Sequence, residues 1–283
     1  MIDKINPLSA LTKFTNQLKE NEKIMPAFFI GHGSPMNAIE LNEFSLNWQK
    51  IGKEIQKPNL ILCISAHWET KGTFVTANEN PATIHDFGGF PDELFRVEYR
   101  APGSKKWATE LCKFKETTSI FEEEKWGLDH GTWSILKHLF PLADVPVIQL
   151  SIDYTKDPSF HYQLAKELAI LREKGVLIIG SGNMVHNLRL VDWSKINQPN
   201  YGFDWALEAS EKMKMCIVNQ QYQELINFKS QGKAFDLAIP SSEHFIPLLY
   251  ILGVSAKNEE PVFFNDKAIM GSLTMTSVRF GEY

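Results

Sequence analysis

Residues 27–39 read AFFIGHGSPMNAI. The apolar run Ala27-Phe28-Phe29-Ile30 stops abruptly at Gly31-His32-Gly33-Ser34-Pro35. A short unbroken apolar run is the pattern of a strand buried on both faces, and the Gly/Ser/Pro cluster after it is turn chemistry. One histidine between two glycines would ordinarily be a turn residue with a hydrogen bond. The chain, however, repeats the arrangement. NLILCISAHWET, residues 59–70, is a second apolar run ending on His67, and VLIIGSGNMVHNL, residues 176–188, is a third that passes through a Gly-rich turn to His186.

Further strand patterns fall at residues 73–76, 145–151 and 273–280. Helical periodicity predicts helices over 41–55, 105–114, 131–139, 158–174, 203–219 and 243–252. Strands alternating with helices imply an α/β fold, one domain over residues 1–283 with a mostly parallel central sheet flanked by helices. Residues 1–24 read as a polar N-terminal helical extension. The segment SLTMTSVRF, residues 272–280, alternates apolar with polar residues and predicts a half-exposed or edge strand. In an open α/β sheet, ligands bind beyond the carboxyl ends of the strands. His32, His67 and His186 are all expected at that edge, where a metal site would form.

Composition removes several function classes. The formal net charge is -5, which supplies neither a basic patch for nucleic acid nor a polybasic membrane signal. No apolar run approaches the roughly 20 residues that span a bilayer, and the N-terminus lacks the pattern of a secretory signal. Cys63, Cys112 and Cys216 form no CxxC pair, so neither a disulfide framework nor a cysteine zinc site is implied. A reduced, cytoplasmic protein is the expectation. Oligomeric state leaves no sequence signal.

Other histidines differ in setting. WGLDHGTW places His130 just before a predicted helix, and PSSEHFIPLLY places Glu243-His244 at the start of another, with Ser241 and Ser242 as N-cap candidates. His138 and His161 sit inside helical patterns and read as structural. Imidazole suits Zn, Cu, Fe and Ni, and no acidic cage or cysteine cluster competes. No H-E-x-x-H is present, so the ligands must come from separate loops, as in an open catalytic site with free positions. The turn-rich excursion ATIHDFGGFPDELFRVEYRAP, residues 82–102, is long enough to be functional. It carries His85, Phe87, Phe90 and Phe95 for stacking, and Arg96 and Arg100 for a carboxylate; salt bridges to Asp92, Glu93 or Glu98 are the ordinary fate of those arginines. Trp68, Trp126 and Trp133 stand beside the histidines, where core packing is again the ordinary role. The GSGN turn at 180–183 is too short for a dinucleotide or P-loop signature.

Taken in order, GHGSPMNAI, SAHWET, IHDFGGFPDELF, YRAPG, GLDHGTW, PVIQLSID, GSGNMVHNLR and SSEHFIPLL resemble the 4,5-DOPA dioxygenase family of LigB-like, class III extradiol ring-cleaving dioxygenases. The resemblance runs from about residue 25 to residue 280. It implies a single α/β domain and one divalent non-haem metal per chain, Fe(II) for ring cleavage with Zn(II) an alternative occupant. It implies His32, His67 and His244 as ligands, with Glu243 a partner of His244 or the ligand in its place. His186 is implied as an acid/base that is also a possible fourth ligand, and His130 as a second histidine facing substrate. The implied partners are a small catechol, with L-DOPA and 4,5-cleavage the reference, and O₂. Two other functions would use the same histidines: a zinc hydrolase with metal-bound water as nucleophile, and a metal-binding module without catalysis.

Overall fold

A computed structural model describes residues 24–114 and 117–283. The helical extension expected over residues 1–24 lies outside these apart from Ile24. Four parallel strands form the centre: β1 (Ala27–Gly31), β2 (Leu60–Ser65), β3 (Val147–Gln149) and β4 (Val176–Gly182). Two more, β5 (Val262–Phe264) and β6 (Ser277–Phe280), complete a six-stranded sheet of order β3-β2-β4-β1-β6-β5. β6 runs antiparallel to β1, and β5 antiparallel to β6. The expected α/β architecture is therefore present, as a mixed sheet that is parallel over its site-bearing half.

The unbroken apolar runs are explained by burial on both faces. Along β1, β2 and β4 the side chains alternate between two cores. Phe28, Ile30, Ile61, Cys63, Leu177 and Ile179 belong to one. Phe29, Leu60, Leu62, Ile64, Val176 and Ile178 belong to the other. Helices α1 (Glu43–Glu54) and α3 (His130–Leu139) cover the first face through Trp48, Ile51, Trp133 and Leu136. Helices α4 (Pro158–Leu168), α5 (Asp204–Val218) and α6 (Ile246–Val254) cover the second. Between α1 and α3 in sequence, α2 (Lys105–Leu111) contributes Trp107, Ala108 and Leu111 to that second core. α6 is buried on every side, so it is apolar all round rather than amphipathic.

Local chemistry sets the element ends. Asn42 caps α1 through a capping box with Ser45, and Asp129 caps α3 by accepting from Thr132 N–H. Expected helix 243–252 starts later, at Ile246, because Pro247 lacks an N–H and fits only the first turn. Residues 242–245 form a tight turn in which Ser242 O accepts from both Phe245 and Ile246 N–H. Neither Ser241 nor Ser242 is the N-cap, and His244 rides on that turn. The helix expected at 158–174 becomes 3-10 from Ala169 to Lys174.

The expectation of an edge strand at 273–280 is corrected. The segment splits into Leu273–Thr274 and β6, is buried throughout apart from half-buried Arg279, and sits inside the sheet with β5 as the edge. Its polar residues face protein partners, not water. Ser277 Oγ accepts from Gly31 N–H and donates to Met275 O, Thr274 Oγ1 accepts from Val185 N–H, and Thr276 Oγ1 donates to Asp266. A period-2 pattern cannot tell a satisfied hydroxyl from a solvated one.

His138 and His161 are structural, as their settings suggest. His138 Nε2 lies 2.7 Å from Asn37 O. His161 Nδ1 lies 3.1 Å from Tyr250 Oη between α4 and α6, and burial pushes its pKa from 6.5 down to about 4, against a smaller upward pull from Asp153. The unfolded chain takes up this proton near pH 6.5 and the folded chain near pH 4, so the stability is present above pH 6.5 and is lost as pH falls between the two. We expect a loss of about 3 kcal/mol at most from this group. In thermal melts from pH 7 to pH 4, His161→Gln should show a shallower fall in Tm than wild type.

Candidate metal centre

Register brings the histidines together. Gly31 pairs with Gly182 and Ser65 with Ser181, so β1, β2 and β4 end level. His32 N–H then bonds Gly182 O, and Ala66 N–H bonds Ser181 O. Glycines flank His32 for steric reasons: a Cβ on Gly31 would stand 2.7 Å from Met275 O, and Gly33 has φ +61. The turn before α6 crosses the end of β4, where Asn183 N–H bonds His244 O at 3.0 Å. A Cβ on Gly182 would fall 2.1 Å from that carbonyl.

The rings of His32, His67 and His244 form a near-equilateral triangle, with centroids 5.0, 5.3 and 5.1 Å apart. His130 packs on His67 with centroids 3.9 Å apart, and His186 stacks on His244 at 3.5 Å and 8°. Ligand atoms of His32, His67 and His130 lie within 4.8 Å of one another, as do those of His186, Glu243 and His244. The contacts of His244 with His32 and His67 join the two groups. His32, His130 and His244 are buried; His67 and His186 are half-buried.

Their partners fix the ring protons, which is an assignment from the hydrogen-bond network. Ser181 Oγ donates to Gly131 O at 2.5 Å, so at His32 Nδ1, 3.0 Å away, it accepts. His67 Nδ1 lies 3.4 Å from Asp86 Oδ2, and His244 Nδ1 lies 3.1 Å from Glu243 Oε1. Each Nδ1 therefore carries its hydrogen toward an acceptor, and each Nε2 presents a lone pair. The Nε2 atoms of His32 and His67 are 3.1 Å apart. His244 Nε2 is buried without a hydrogen-bond partner. Lone pairs facing one another across 3 Å in a buried site repel unless a cation lies among them. Neutral imidazoles with the second nitrogen engaged are the form in which histidine binds metal. The three rings thus fit a divalent non-haem ion.

The electrostatics agree. Burial, then the neighbouring imidazoles, hold His32 and His67 well below the ordinary histidine value. Burial lowers His244, against an upward pull from Glu243. His186 is drawn down to about 3 by burial and by His244. The Glu243 carboxylate, raised by burial but bonded by His244, sits at about 2. At neutral pH His32, His67, His186 and His244 are uncharged imidazoles, with the Glu243 carboxylate beside them.

Beneath it lies a polar platform that the sequence reading did not single out. The buried Asp129 carboxylate accepts from Ser65 Oγ and Gln149 Nε2, each at 2.6 Å, and from Thr132 N–H at 3.1 Å. Burial and nearby Asp86 raise its pKa; the Ser65 and Gln149 hydrogen bonds and nearby His130 oppose this. Asp86, also missed, takes His130 N–H at 2.9 Å on Oδ1, and its Oδ2 lies 3.0 Å from His130 Nδ1. The available signals were serines closing two apolar runs, and an acid beside His85 in the turn-rich loop.

Elsewhere on that loop, His85 Nε2 lies 3.0 Å from Val97 O and its ring contacts Phe87 and Trp133. Phe87 stands edge-on to His130 at 5.5 Å. Arg96 and Arg100 are exposed, and Arg100 pairs with Glu98 at 3.5 Å. Trp133 is core, its indole N–H on Ile84 O, while Trp68 and Trp126 stack in parallel.

The family model for the catalytic LigB subunit of aromatic ring-opening dioxygenase matches residues 26–280. A 4,5-DOPA dioxygenase extradiol from Escherichia coli (strain K12) is 42% identical over 262 residues, covering 91% of this chain and 95% of that protein. One of the same name from Mirabilis jalapa is 36% identical over 237 residues, covering 82% and 87%. The crystal structure of an uncharacterized protein from Escherichia coli K12 superposes with a TM-score of 0.79 at 37% identity, over 91% of this chain and 100% of that one. The chain therefore belongs to the LigB family of aromatic ring-opening dioxygenases, whose enzymes depend on a non-haem metal. Among the described residues no helix is long and apolar enough to cross a membrane.

Ser181 offers a direct test of the platform. Ser181→Ala leaves the buried His32 Nδ1 N–H without its acceptor, and should lower stability by about 1–3 kcal/mol in denaturant titrations. A loss below about 0.5 kcal/mol would show that the His32 ring does not depend on the hydroxyl.

Proposed function

We propose that this chain is an extradiol dioxygenase. It opens a catechol with O₂ beside the two hydroxyls, and L-DOPA, cleaved at the 4,5 bond, is the reference substrate. One divalent ion would be held by His32, His67 and His244. The near-equilateral triangle of the three rings, each with its Nδ1 beside an acceptor, carries the reading, and the relatives named 4,5-DOPA dioxygenase extradiol support the substrate. Fe(II) is the working ion, because Zn(II), which suits the same donors, has no redox step. When bound, the ion supplies Lewis acidity and a path for electrons between catechol and O₂.

The chain's own residues bind the substrate and manage its protons. Asp86 faces His130 Nδ1, which leaves Nε2 to take or share the proton of a substrate hydroxyl. His186 is neutral at pH 7 and enters as a proton acceptor; service as a fourth ligand is its alternative role. Glu243 holds His244 in its ligating tautomer, and is the alternative ligand. Phe87 offers the catechol an apolar edge next to His130, with His85 behind it. Arg96 and Arg100 are the cations on this loop available to a substrate carboxylate.

Protein purified without air and loaded with Fe(II) should consume O₂ and form a yellow product from a catechol panel that includes L-DOPA. Metal turnover of esters or amides without O₂ uptake would instead point to the hydrolase. His32→Ala and His67→Ala should lose stoichiometric metal by elemental analysis. His130→Phe should keep its metal and lose about 10²–10⁴-fold in kcat. If Arg96 or Arg100 reads the carboxylate, its Ala variant raises KM for L-DOPA far more than for unsubstituted catechol.

A further inference from the structure

Asp86 is in contact with two of the histidines at once. Its Oδ1 accepts from His130 N–H at 2.9 Å. Its Oδ2 lies 3.0 Å from His130 Nδ1 and 3.4 Å from His67 Nδ1. The His130 ring N–H is not aimed along the line to that oxygen, so the contact is close but unaligned, as site hydrogen bonds often are before substrate binds. The two rings are packed at 3.9 Å, and the Asp86 side chain, 19% exposed, lies against both. A carboxylate only accepts, so a ring that bonds it through Nδ1 does so as N–H, the tautomer that leaves Nε2 bare. The backbone bond from His130 anchors the carboxylate to the first residue of α3.

On the reading above, in which His67 binds the ion and His130 handles the substrate proton, we propose that Asp86 is the positioning residue for both. One carboxylate fixes the tautomer of a metal ligand and of the neighbouring proton-transfer histidine. The two functions are thereby tied to a single side chain on the loop that also carries Phe87. Asn in its place can still accept from His130 N–H through its carbonyl, but its amide group offers N–H, not a lone pair, to a ring nitrogen. One ring is then left free to take the wrong tautomer.

The test uses Asp86→Asn, alone and combined with His130→Phe, with Co(II) as the binding probe and Fe(II)-loaded protein for turnover. Co(II) affinity, read from its visible absorption against a competing chelator, should fall about 10–100-fold in Asp86→Asn. It should fall equally in the double variant, since that loss runs through His67. At saturating metal, kcat should drop with KM little changed in Asp86→Asn, yet show no further drop when Asn is added to His130→Phe. Asp86→Glu, which keeps an acceptor, should lose less than Asn in both readouts, and serves if the Asn variant does not fold. The proposal is overturned if Asp86→Asn binds Co(II) and turns over like wild type, if the kcat losses of Asp86→Asn and His130→Phe simply multiply, or if Glu is as damaging as Asn. Wild-type protein that neither binds Co(II) at the histidines nor consumes O₂ would instead defeat the functional reading itself.

Discussion

The pairing of Gly31 with Gly182 and of Ser65 with Ser181 sets where everything else in the site can be. Parallel strands are held in register by packing on both faces, and here each face has its own core. A one-residue slip of β1 would exchange Phe28 and Ile30 for Phe29 and Gly31 against α1 and α3. The same slip would carry His32 away from Ser181 and His67. Thus the burial that stabilises the sheet also fixes the 3.1 Å approach of two imidazole nitrogens beyond its edge. Site precision is inherited from the core, and the loops need only present side chains that the strand ends have already placed.

That approach is costly in a protein without a cation. Five histidines crowd one edge, burial keeps those with resolved shifts neutral, and the lone pairs of His32 and His67 face each other. Asp86, Asp129 and Glu243 accept hydrogen bonds around the cluster and do not occupy its centre. Such a concentration of polar groups, best arranged around a cation, is the kind of local conflict that functional sites carry and the rest of a fold compensates. The compensation is visible in the platform. Ser65, Asp129, Gln149 and Ser181 are buried, each with a partner, directly under the rings.

The strand runs, the edge they share and the five histidines were legible because burial on two faces leaves an unbroken apolar signature with a sharp end. The four-residue apolar run AFFI, cut off at GHGSP, is that signature. The segment 273–280 was misread because hydroxyls satisfied inside the sheet produce the same alternation as hydroxyls in water. His244 was legible by resemblance but its turn was not, since only the position of Pro247 in the first turn of α6 moves the helix start past it. Asp86 and Asp129 were invisible for another reason. Their importance lies in contacts 19 to 64 residues away in sequence, with Gln149, His67, His130 and Ser65, and no local periodicity encodes such pairings.

The placement of Glu243 bears on why an all-imidazole triangle suits the proposed chemistry. Its carboxylate is ionised, with a pKa near 2, and bonds His244 Nδ1 in place of facing the triangle. A doubly deprotonated catechol brings two negative charges to a dication, and neutral ligands leave that pair balanced. A carboxylate moved into the ligand set would add a charge that buried surroundings disfavour. Held one bond back, Glu243 still strengthens His244 as a donor through the ring. With an ion bound as proposed, the arrangement would keep the electrostatic benefit of an acid nearby without placing its charge in competition with the substrate's.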